Sequence, residues 1–235
     1  MNKFDSTKKI GEIVNAFPGA ADIFKEYKID YCCGGNRALK TATEEQNIND
    51  AEVLSKINSA YEEYERGSKD KDWTKAETDE IIEQILNKHH AYLWSELPVI
   101  SKLSTAILRV HGANHPGLSK IHKLFNSLKT ELEDHLVKEE TIQYPAIKLY
   151  SSSKSEGDLK KAVTVIDELE DEHTSAGNVL KELREITEDY TIPGDACGTY
   201  ELTYKKLQEL EADIFQHIHL ENNILFPRLR NISNK

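Results

Sequence analysis

The sequence predicts an all-α protein: a small helical unit over residues 1–66, a linker at 67–73 and an antiparallel four-helix bundle over 74–235. Three observations carry that expectation. Helix formers dominate, and only 6 of the 235 residues are proline. No run of alternating Val, Ile and Thr marks a half-buried strand. From Lys75 onward the apolar residues recur with helical periodicity in four long stretches separated by modest loops.

In chain order, IGEIVNAF and the stretch from Pro18 to Phe24 read as two short helices. Tyr31-Cys32-Cys33-Gly34-Gly35 is a turn carrying two thiols, and an amphipathic helix follows from about Asp50 to Glu65. The polar run from Arg66 to Asp72 reads as the linker. The first bundle helix starts near Lys75 behind a capping-box pattern, Thr74-x-x-Glu77. The second opens at Pro116 and is expected to stop near Pro145. The third spans Asp158 to about Thr187. The fourth follows the breaker Ile192-Pro193-Gly194-Asp195 and ends near Pro227.

Composition excludes several function classes. A formal net charge of −11 with no dense Lys/Arg run argues against binding a phosphate backbone, so no nucleic-acid partner is expected. No stretch approaches the roughly 20 apolar residues that span a bilayer, and the N-terminal residues have no apolar signal core. With three cysteines, two of them adjacent, there is no disulfide framework, and the expected location is cytoplasmic.

The second and fourth bundle helices repeat one pattern. His135-x-x-x-Glu139 is followed by Tyr144-Pro145, and His217-x-x-x-Glu221 by Phe226-Pro227 at the same offset. Leu132, Leu136 and Ile142 correspond to Ile214, Ile218 and Ile224. Residues four apart on a helix return to one face about 6 Å further along the axis, so each His and Glu can reach a single metal cluster. Their registers are otherwise apolar. One runs Ile121, Phe125, Leu128, Leu132, His135, Glu139, Ile142, and the other Leu207, Leu210, Ile214, His217, Glu221, Ile224. The third helix places His173 within Ala162, Ile166, Leu169, Ala176, Leu180 and Leu183. A carboxylate buried alone costs several kcal/mol, so two such glutamates beside histidines indicate paired metal ions. Carboxylate-and-His pairs projecting into a bundle core are the established way to hold paired iron or manganese, and the expectation here is two non-haem, carboxylate-bridged irons per chain. The first helix offers His89 or His90. The register through Leu86, Leu93, Leu97 and Ile100 favours His90, whereas that through His89 meets Glu96. Glu140 and His219 fall off the stripes and read as solvated; His111, His115 and His122 read as surface histidines.

This set resembles the di-iron form of the hemerythrin-like domain: His90, His135, Glu139, His173, His217 and Glu221. It departs from oxygen carriers, which place a second histidine where this chain has Gly177 and an aspartate where it has Asn222. The departure favours redox chemistry or iron exchange over reversible oxygen storage. Together with Ile29-Asp30-Tyr31-Cys32-Cys33-Gly34-Gly35, Leu97-Pro98 and the run from Glu221 to Pro227, the chain is similar over nearly its whole length to the ScdA/YtfE family of iron-sulfur cluster repair proteins. That resemblance implies a homodimer acting on iron-sulfur proteins damaged by oxidative or nitrosative stress.

Adjacent Cys32 and Cys33 can close only a strained, easily reduced disulfide. They can bind soft iron or carry sulfur equivalents, or one thiol is simply buried and inert. Cys197 receives no role. Three functions compete: a repair factor that supplies iron from its own site, a nitric-oxide or peroxide reductase, and a sensor of oxygen or nitric oxide. The Cys-Cys unit favours the first, because a gas carrier has no need of it.

Overall fold

The computed structural model describes residues 3–67 and 71–233. The centre of the expected linker, residues 68–70, lies outside the described residues. Among those described the protein is all-α, and the only extended pairing is an isolated antiparallel bridge between Lys9 and Ala38. Two compact units form, one from residues 1–81 together with 218–235, the other from 82–217.

In the first unit α1 (Ile10–Ala16) and α2 (Ala20–Glu26) occupy the two short periodic stretches. The sequence reading missed α3 (Leu39–Glu45), a seven-residue helix with too few turns to show a period. The amphipathic α4 (Asp50–Gly67) packs on α2 and α3, and Val53 and Ile57 are buried, as are Ile10, Ile13, Phe24 and Leu39. Asn58 fastens the N-terminal segment to α4: its Oδ1 accepts from Phe4 N at 3.0 Å and its Nδ2 donates to Phe4 O at 3.1 Å.

The long helices are α5 (residues 78–111), α6 (117–153), α8 (Ile166–Ile186) and α9 (198–233), with short α7 (Glu156–Val163) preceding α8. Side-chain pairs fix their directions. Ser101–Asn126 and Thr105–His122 run oppositely on α5 and α6, as do Lys138–Glu168 and Glu131–Ser175 on α6 and α8. His89–Asp213 and Glu96–Lys206 do the same for α5 and α9. Within residues 82–217 the bundle is therefore antiparallel. The expected capping box does not form: Glu77 N donates to Glu80 Oε2 instead, and Thr74 bonds Asp72.

Three of these helices contain a π-helical segment: Ile85–His90, Glu139–Gln143 and Glu221–Leu225. Each begins or ends on an expected ligand, the setting in which such wide turns recur. They explain why α6 and α9 pass their prolines. Proline lacks an N–H and clashes with the carbonyl four residues back. Widening the preceding turn moves that carbonyl aside, so Tyr144–Ser153 and Phe226–Ser233 continue each helix beyond the expected stop. The same segment shifts the register by one residue. Ile142, expected in the core, is 53% exposed, while Gln143 and Tyr144 are buried; its counterpart Ile224 stays inside.

Candidate metal centre

Five expected ligands converge inside the 82–217 unit, and Glu139 is the hub. This carboxylate has no exposed surface. Its Oε1 lies 3.1 Å from His135 Nε2 and 4.0 Å from His173 Nε2. Its Oε2 lies 3.2 Å from His90 Nε2 and 3.6 Å from His217 Nε2. Each oxygen thus faces its own pair of imidazoles, the arrangement of a carboxylate bridging two cations. His90, Glu139 and His217 present donor atoms within 4.8 Å of one another, and so do His135, Glu139 and His173. Burial alone would raise the Glu139 carboxyl, but His135, His90 and His217 hold it well below the usual range. The donor set fits metal ions: a wholly buried carboxylate facing four imidazole nitrogens, two on each oxygen, is an oxygen and nitrogen donor set that cations between them would satisfy.

The outward nitrogens are held as well. His135 Nδ1 donates to Glu172 Oε2 at 2.6 Å, and His90 Nδ1 donates to Glu140 Oε1 at 2.9 Å. A hydrogen bond donated from Nδ1 fixes the tautomer in which Nε2 carries the lone pair, the form that ligates a metal. Glu140 also accepts from Trp94 Nε1 at 3.0 Å, so it is engaged rather than simply solvated. The Glu172 carboxyl is pushed down to about 2, first by the His135 hydrogen bond, against desolvation, and then by Lys138. Periodicity missed both glutamates. The only signals for them were their positions directly beside a ligand, Glu140 after Glu139 and Glu172 before His173.

His90 occupies the site as the register favours, but His89 does not turn outward. Both are 1% exposed. His89 lies 5.9 Å from His217, nearly parallel to it, and donates from Nδ1 to Asp213 Oδ1 at 2.9 Å. The wide turn at Ile85–His90 allows two adjacent side chains to be inside. Glu221 stands one helical turn beyond His217 on α9 and is wholly buried.

Cys32 and Cys33 belong to the other unit. Asp30 Oδ1 accepts from Cys32 N at 3.0 Å and Cys33 N at 3.1 Å, and the Cys32 thiol donates to it at 3.3 Å. The two sulfurs are 3.6 Å apart. Cys32 is buried and Cys33 half-buried. Burial, Cys33 and Asp30 together push the Cys32 thiol well up. Asn223, on α9, donates to the carbonyls of Tyr31 at 3.2 Å and Cys32 at 3.1 Å. The chain is so close here that a Cβ on Gly35 would lie 2.6 Å from Tyr31 O, and one on Gly34 would lie 2.7 Å from Asp30 O. His219, expected in solvent, is buried edge-on to Tyr31 at 5.8 Å. The displaced face of α9 is covered by the thiol turn, which periodicity within one helix does not register.

Residues 81–229 match the Hemerythrin HHE cation binding domain, and residues 6–61 match the ScdA_N domain, described only as a domain of unknown function. The chain is 34% identical to a probable iron-sulfur cluster repair protein of Haemophilus influenzae, over 95% of this chain and 97% of that one. It is 36% identical to the iron-sulfur cluster repair protein YtfE of Escherichia coli O157:H7, over 93% and 94%. It is 32% identical to ScdA of Staphylococcus haemolyticus, over 93% and 96%. The chain belongs to the ScdA/YtfE family. Both family domains are present in one chain, the cation-binding domain spanning the His/Glu centre and ScdA_N spanning the thiol turn. No helix among the described residues is long and apolar enough to cross a membrane.

Proposed function

We propose that this protein holds two non-haem irons, carries out repair of iron-sulfur clusters damaged by oxidative or nitrosative stress, and supplies iron from its own centre. The observation that carries the reading is the division of Glu139, one oxygen to each pair of histidines. In this reading His90 and His217 serve one ion and His135 and His173 the other. Glu139 would be shared between the two ions, and Glu221, a turn beyond His217, would be the sixth ligand. Bound iron supplies the redox and transferable-metal chemistry. The residues do the rest: Glu140 and Glu172 keep Nε2 of His90 and His135 directed inward, and burial of the donors restricts water. Cys32 and Cys33, held by Asp30, are the thiols that receive or hand on soft metal or sulfur. The working environment is the cytoplasm and the working form a homodimer, as the family resemblance implies.

The test is metal analysis of protein from iron-replete cells, followed by transfer of that iron to a cluster-free iron-sulfur protein. Close to two irons per chain and reconstitution of the acceptor are expected. One tightly held zinc with no iron overturns the assignment of the centre. Two irons with catalytic turnover of nitric oxide and no transfer would instead favour a reductase.

A further inference from the structure

At one end of the 82–217 unit, two neighbouring pairs of metal-ligating side chains, His111 with Cys197 and His115 with Asp195, link two segments. His111 closes α5, and His115 follows four residues on, its backbone N donating to His111 O at 2.9 Å so that the helical spacing persists through the turn. Facing them is Asp195-Ala196-Cys197 at the start of α9. Cys197 O accepts from Tyr200 N at 2.8 Å and Glu201 N at 3.1 Å, which places the cysteine at the head of the helix. His111 Nε2 lies 3.2 Å from Cys197 Sγ, and His115 Nε2 lies 3.0 Å from both oxygens of Asp195. Buried Tyr200 lies edge-on to both imidazoles, 5.4 Å from His111 and 5.6 Å from His115, and holds them on one side.

We propose that His111, His115, Asp195 and Cys197 form a second, zinc-type metal site, separate from the His/Glu centre. Two nitrogens, a carboxylate and a thiolate are the donors of a tetrahedral, borderline-soft divalent cation; a centre for paired iron is instead rich in bridging carboxylate. Zinc bonds of about 2.0–2.3 Å put neighbouring donors roughly 3.3–3.8 Å apart. The two observed pairs sit slightly inside that range, as hydrogen-bonded pairs without an ion between them do. The imidazole centroids are 6.1 Å apart. Two imidazoles on one tetrahedral ion require roughly 5 Å, and the four donor atoms do not all lie within 4.8 Å of one another, so binding must draw the two pairs together by side-chain movement. The side chains have that freedom, since Asp195 is 59% exposed and His115 23%. His111, with the Tyr200 backbone, lowers the Cys197 thiol to about 7, so the thiolate that metals require is available near neutral pH. An ion here would clip the turn after α5 to the head of α9.

Cobalt(II) is the probe, added to the full chain with the His/Glu centre already loaded with iron. Sulfur-to-cobalt charge-transfer absorption reports a thiolate ligand directly. The expected band persists in the Cys32→Ser/Cys33→Ser variant and disappears in Cys197→Ser, which alters an exposed side chain and leaves the fold intact by circular dichroism. His115→Gln and His111→Gln should each weaken cobalt binding at least tenfold, and zinc should displace the cobalt. The site is refuted by the absence of a band, by a band that survives Cys197→Ser, or by one lost only with Cys32 and Cys33. A band dependent on Cys197 with unchanged affinity in both histidine variants also refutes it, because the ion would then be held by the thiol alone.

Discussion

His89→Ala and His90→Ala should fail in different ways. His90 Nε2 faces Glu139 at 3.2 Å, so its loss removes a donor to the metal centre. His89 faces no donor of that centre except through its stacking on His217, and its polar partner is Asp213. Truncating His89 takes away the only hydrogen bond that the Asp213 carboxylate makes among the described residues. Abandoning a buried polar group costs about 1–3 kcal/mol. Asp213 retains 13% exposure, so water recovers some of this and the lower half of the range applies. Losing the ring from a fully packed position adds about 1–2 kcal/mol of cavity and stacking energy. The total is roughly 2–4 kcal/mol, which for a chain of this size lowers the melting temperature by roughly 5–15 °C. Urea unfolding of the metal-free proteins, beside iron content of the same preparations, separates the two cases. His89→Ala should be clearly destabilised yet hold close to two irons, and His90→Ala should lose iron. In the His89→Ala/Asp213→Ala double variant part of the loss should be regained, because the abandoned carboxylate is gone. The reasoning fails if His89→Ala unfolds within about 0.5 kcal/mol of the parent, the range of neutral surface changes. It also fails if His89→Ala sheds iron while His90→Ala retains it.

Other consequences are equally direct. Glu172→Gln should weaken iron binding about 10–100-fold, measured by chelator competition, because His135 loses its charged orienting partner; unchanged affinity would remove Glu172 from that role. Cys33 should alkylate readily at neutral pH while Cys32 resists, since Cys32 is buried and its thiol is engaged with Asp30, as peptide mapping can show. The π-shifted register of α6 predicts that Ile142→Ser changes stability by less than about 0.5 kcal/mol. Gln143→Ala, which deletes a buried 2.8 Å hydrogen bond to Ala162 O, should cost about 1–3 kcal/mol. Equal effects in urea unfolding would return α6 to an unbroken α-helical register.

Much of this protein is written in local patterns. The six expected ligands stand out because His and Glu occupy positions where the period demands apolar side chains, and periodicity is a property of one helix at a time. The all-α class and the two short helices of α1 and α2 follow from the same local rules. What the sequence left open depends on neighbours. Whether His89 or His90 enters the core is not a choice between two faces of one α-helix, because the π turn at Ile85–His90 carries both inside. The prolines at 145 and 227 read as stops by local rule. Here they are carried through, because wide turns at Glu139 and Glu221 relieve the clash a regular helix would suffer. Glu140, Glu172 and Asp213 take their roles from histidines on other helices. Cys197 meets a histidine 86 positions away. Helical period encodes which face a residue takes; only packing decides which side chains meet across it.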